Sequence, residues 1–180
     1  MERRAPLPGF PWSADARSLQ DLDDRQLLAL YRDAPGSSSI QGLIGDPAGV
    51  GVGLRRGAGS IVDRAARRRS AKPTFLWRGK SFRVQPDGEG WGFNRVSVAG
   101  LVGAFRFRVA LGTSQVDDRP TIAFSYDCPS NPAFVRRMQD EIREVGPGVF
   151  LGLAGCRLFR RTRHLAWFAL DANDQRTAEI

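Results

Sequence analysis

His164 is the only histidine in a chain of 180 residues, so any Ser-His-Asp, Cys-His or multi-histidine metal mechanism must pass through it. In Arg163-His164-Leu165-Ala166-Trp167-Phe168-Ala169-Leu170, simple alternation puts it on one strand face with Ala166, Phe168 and Leu170. If that face is interior, its apolar setting suits a general base or a haem axial ligand. If it is not, the histidine stands at the mouth of the sheet beside a basic turn. Cys128 and Cys156 show no CxxC or Cys/His spacing, which argues against zinc or redox chemistry and for two free thiols. No metal site is expected.

Lysine is nearly as scarce: only Lys72 and Lys80 stand among the 27 basic residues. In Trp77-Arg78-Gly79-Lys80-Ser81-Phe82, parity places Lys80 on the face of Phe82. A lysine desolvated there can act as a base or form a Schiff base. The plainer alternative is a surface lysine after a glycine bend. A third set joins Asn94 and Arg95 to Tyr126 and Asp127, with Asp140, Glu141 and Arg143 further along. Gathered at one end of an apolar interior, these groups could orient a polar ligand head or move a proton. The alternative gives Asp127 to a backbone turn and the later charges to a solvated face. The catalytic candidates are therefore Tyr126, Asp127, His164 and Lys80.

The aromatic supply favours a pocket. Trp77, Phe105, Phe107, Phe124, Tyr126, Phe150 and Phe168 all fall on strand-like runs and, with Asn94 and Arg95, form the candidate ligand-binding set. The same rings would equally fill a solid core. The net charge of +8 is concentrated in residues 55 to 72, which hold seven cations against Asp63 alone. Arg64, Arg67, Arg68 and Arg69 are the candidate polyanion-binding residues, and nucleic acid is the alternative partner. The glycines of residues 41 to 59 are not a nucleotide loop: Gly51-Val52-Gly53-Leu54-Arg55-Arg56-Gly57 is one residue too long for G-x-G-x-x-G.

The elements that must position these groups are mostly strands. Asp23 with Gln26 makes a capping box, flanked by Leu22 and Leu27, and predicts a helix over about 24 to 33. Ser60 to Asp63 opens a short basic helix. From Pro73 the period turns to two, giving strand candidates at 74 to 80, 81 to 85, 91 to 98, 101 to 111, 119 to 127, 148 to 159 and 163 to 171. With Val50 to Leu54, these suffice for an antiparallel β-barrel of about eight strands. Asn131-Pro132 and Gly146-Pro147 bracket residues 132 to 145, where Phe134, Val135, Met138, Ile142 and Val145 fit helical spacing. That predicts a helix closing or flanking the barrel.

Length and composition suit one domain over 22 to 172. Residues 1 to 21 read as an arm, 55 to 72 as a basic insertion and 173 to 180 as a tail. No apolar run is long enough to cross a membrane, and the N-terminus lacks a signal peptide's apolar stretch, so a cytoplasmic protein is expected. Leu27 to Arg32, Trp77 to Phe82, Tyr126-Asp127 with Asn131-Pro132, and Asp140 to Arg143 followed by Pro147 to Gly152 together resemble small lipocalin-like proteins of actinobacteria. The resemblance implies a calycin-type barrel. Related barrels carry hydrophobic ligands or haem, or act as cofactor-free cyclases in natural-product pathways. The leading expectation is thus a barrel that binds a small hydrophobic molecule without a cofactor, with room for isomerase or cyclase chemistry. Polyanion binding and a haem barrel using His164 are the alternatives.

Overall fold

The computed structural model describes residues 15–55, 77–84, 90–98, 101–159 and 161–175. The predicted basic helix, Arg64, Arg67, Arg68 and Arg69 lie outside these residues. Helix α1 (Asp24–Asp33) forms where expected. The Asp23 carboxylate accepts from the Arg25 and Gln26 amides, and the Gln26 Oε1 accepts from the Asp23 amide. Its buried Leu27, Leu30 and Tyr31 pack on the outer wall of the sheet, against Val52, Leu151, Leu153 and Trp167. Among the described residues no helix is long and apolar enough to cross a membrane.

Eight strands close into an antiparallel barrel in which each strand pairs with its chain neighbours and the last with the first. They are β1 (Pro47–Leu54), β2 (Trp77–Val84), β3 (Gly90–Val98), β4 (Leu101–Thr113), β5 (Pro120–Ser125), β6 (Met138–Gly146), β7 (Val149–Leu158) and β8 (Arg161–Gln175). In this up-and-down order the C-terminal ends of β1, β3, β5 and β7 all lie at one end of the barrel. Closure removes free sheet edges and lets period-two alternation separate an interior from an exterior.

The predicted number of strands is correct because two predicted strands merge into one and the segment predicted as a helix supplies another. Residues 74 to 80 and 81 to 85 are not two strands; β2 runs continuously through Gly79, whose φ of +128° carries the bend. The predicted helix at 132 to 145 is a single 3-10 turn, Val135–Arg137, followed by β6. Its apolar residues fit a 3.6-residue period because both faces of β6 are buried. Ile142 points inward, Val145 packs outward under α1, and the charged Asp140, Glu141 and Arg143 are buried as well, while Glu144 is exposed. Pro132 starts a tight turn, and Gly146-Pro147-Gly148 is a hairpin turn in which Gly148 adopts a φ of +71°.

The interior is filled at one end only. Phe82, Ile122, Ile142, Phe150 and Leu170 plug the end closed by Ile40 and Leu43. The other half, toward the C-terminal ends of β1, β3, β5 and β7, holds a cavity of about 430 Å³.

Candidate functional site

Small side chains on the wall make the cavity. Gly51, Ala154 and Ala166 stand where larger residues would fill it, while Trp77, Phe105 and Phe168 supply aromatic surface. Trp77 meets Phe168 edge-on at 5.8 Å between centroids. Phe105 lies in a bulge of β4 with a φ of +58°, so it leaves the alternation of Phe107 and Val109 and stands half-exposed at the mouth. Phe134 and Val135, from the 3-10 turn before β6, line the same mouth.

Four polar side chains meet on this apolar wall. β2 and β3 place Lys80 opposite Asn94, and the Lys80 Nζ donates to Asn94 Oδ1 at 2.9 Å. It also donates to Asp140 Oδ2 at 2.9 Å and to the Tyr126 hydroxyl at 2.5 Å. Tyr126 in turn donates to Asp140 Oδ2 at 2.9 Å, Asn94 Nδ2 donates to the Tyr126 oxygen at 3.1 Å, and Trp77 Nε1 donates to Asn94 Oδ1 at 3.1 Å. All four side chains of the quartet are buried; Lys80 is 3% exposed. Five rings, those of Trp77, Phe107, Phe124, Tyr126 and Phe168, lie 5.0 to 5.8 Å from Nζ.

Local structure holds the quartet in place. Gly79 turns β2 so that its amide edge meets β1. Across it Arg95, buried on the outer face, donates to the Pro47 and Asp46 carbonyls at 2.5 and 2.8 Å. Asn131 does not cap a helix; its Nδ2 bonds the Tyr126 and Arg106 carbonyls at 2.8 and 2.6 Å and fixes the end of β5.

Burial dominates the electrostatics. It pulls the Lys80 ammonium below the ordinary lysine value, with the Asp140 carboxylate opposing. It lifts the Tyr126 phenol well above the ordinary tyrosine value, and the charge of Asp140 adds to that. Burial thus loosens the lysine's hold on its proton and tightens the phenol's. Asp140 keeps one buried oxygen, Oδ1, without a hydrogen-bond partner.

The structure thus brings together Lys80, Tyr126, Asn94, Trp77, Phe105, Phe107, Phe124 and Phe168. The surface-lysine reading fails. Phe150 belongs to the plug at the other end, Arg95 to the outer face, and Asp127 to the surface, where it pairs with Arg136 at 2.7 Å. His164 does not share the inner face of Ala166. A bulge opposite the Ala154–Gly155 step skips Leu165, pairs His164 with Gly155 and turns it outward to Glu141, 3.7 Å away. There burial lowers its pKa below the usual histidine value, with Glu141 opposing. Glu141 also accepts from Ser114 Oγ and the Gln115 amide, both at 3.0 Å.

Asp140 is the member of the quartet that the helical reading hid. Its signal is alternation, since Met138, Asp140 and Ile142 share one face once β6 is read as a strand. Among the described residues no three His, Cys, Asp or Glu side chains gather as a metal site, and both cysteines are free.

Fold and site define a closed eight-stranded antiparallel barrel, calycin-like in architecture, with an aromatic-walled cavity and a polar floor. No protein-family model matches the chain, and no curated protein matches it. A crystal structure of a protein from Thermomonospora curvata superposes with a TM-score of 0.43 and 12% identity, over 83% of this chain and 87% of that one.

Proposed function

We propose that this barrel binds a small, largely apolar molecule and orients it by one polar group over the Lys80–Tyr126–Asp140–Asn94 floor. The observation that carries the reading is the 430 Å³ cavity with these four groups on a wall of aromatic and small aliphatic side chains. Ligand sites commonly combine apolar walls with a few convergent polar groups. A buried ion pair adds little net stability, so keeping one beside an open space favours a role in binding or chemistry.

The same quartet holds the parts for cofactor-free isomerisation or cyclisation. Asp140 Oδ2 can take a proton from the ligand, and the Tyr126 hydroxyl and Lys80 Nζ can donate to an oxygen on which charge develops. The dry surroundings strengthen both interactions.

Native mass spectrometry and tryptophan quenching against a panel of hydrophobic metabolites test the reading. Trp77, in the wall, is the reporter. A one-to-one adduct with saturable quenching is expected; a panel with no binder would overturn it.

A further inference from the structure

We propose that Lys80 captures a carbonyl compound covalently, as a protonated imine, so that the cavity's ligands include apolar aldehydes or ketones. This rests on the cavity-binding reading above and names the ligand class for that site. Lys80 is part of the cavity wall, and its Nζ lies within hydrogen-bond distance of a carboxylate and a phenol. Those are the two groups that imine formation needs, a proton acceptor and a proton relay.

The chemistry balances with nothing else present. The Lys80 ammonium passes one proton to Asp140 Oδ2, leaving a neutral amine. The Nζ lone pair forms the C–N bond, and the carbonyl π pair moves onto oxygen. One proton then moves from nitrogen to that oxygen through Tyr126, giving a carbinolamine. Asp140 returns its proton to the hydroxyl, the C–O bond breaks, water leaves and the nitrogen lone pair completes C=N. The product is an iminium beside the Asp140 carboxylate, with the same net charge as at the start.

That cation fits its surroundings. Asp140 Oδ2 is a ready counter-ion, and the five rings around Nζ present the faces that attract an organic cation. Burial, by weakening the hold on the proton, raises the fraction of reactive amine.

The chain carries its own control, because its other lysine is Lys72. The intact protein is treated at neutral pH with trans-cinnamaldehyde and sodium cyanoborohydride, and labelled sites are mapped by peptide mass spectrometry. Binding is followed in parallel by quenching with cinnamyl alcohol, which has the same skeleton and no carbonyl. The expected result is one adduct per chain at Lys80, formed at least about tenfold faster than at Lys72 or the N-terminus. Lys72→Arg should leave it unchanged. Lys80→Arg, which keeps a cation beside Asp140, should lose the adduct. Should that variant fail to fold, site mapping on the unaltered chain decides the matter. Quenching by the alcohol without preferential labelling of Lys80 would overturn covalent capture and leave the cavity reading standing. Neither quenching nor labelling would overturn both.

Discussion

Lys80 and Asp140 form an ion pair that water scarcely reaches, and its worth lies in being complete. Removing one partner strands the other charge, so Lys80→Met should destabilise the fold by about 3–5 kcal/mol in urea titrations. Pairing it with Asp140→Leu should restore most of that loss, since apolar replacements need no partner. If the double variant is as weak as the single, the pair is not isolated in the way described. Tyr126→Phe removes one hydroxyl from the network and should cost less, about 1–3 kcal/mol. His164 gives a separate test on the outer wall. Its folded pKa lies below the reference of 6.5, so on acidification the unfolded chain takes up the proton first. The stability penalty is therefore absent above pH 6.5 and grows as pH falls below it. Denaturation midpoints at pH 7.5 and 5.5 should show this fall, and His164→Gln should flatten it.

Strand β2 depends on Gly79 at the scale of the element. A Cβ there would sit 2.4 Å from the Pro47 carbonyl oxygen, and the φ of +128° is foreign to other residues. Gly79→Ala should cost about 1–3 kcal/mol and weaken any ligand held through Lys80, a combination that melting and quenching on one sample would show. A variant of unchanged stability and affinity would remove Gly79 from this role. The same element shows what was legible beforehand. Parity along β2 places Lys80 with Phe82, and the capping box of α1 announces that helix, because both signals are local. β6 was not legible as a strand. Its outward residues Glu141 and Arg143 are buried by a loop and a helix distant in sequence, with Arg143 held on Asp117 at 2.6 Å, so the hydrophobic-in, polar-out pattern is lost. The bulges that expose Phe105 and turn His164 outward were equally invisible, since they arise from pairing register between strands.

On the scale of the whole molecule, a barrel plugged at one end leaves room for a ligand at the other. Aromatic content could not decide this, because Phe107, Phe124 and Phe150 would read alike in a solid core and a cavity wall. What leaves the space is the placement of Gly51, Ala154 and Ala166 in the wall of the unplugged half. Filling that space should abolish binding without disturbing the plug. The most direct measurement is a titration of N-phenyl-1-naphthylamine fluorescence with the unaltered protein and with Ala154→Phe, folding being monitored by circular dichroism. Saturable one-to-one enhancement is expected with the first and little or none with a folded second. No saturable enhancement with the unaltered protein, or the same enhancement with both, would contradict binding in this cavity.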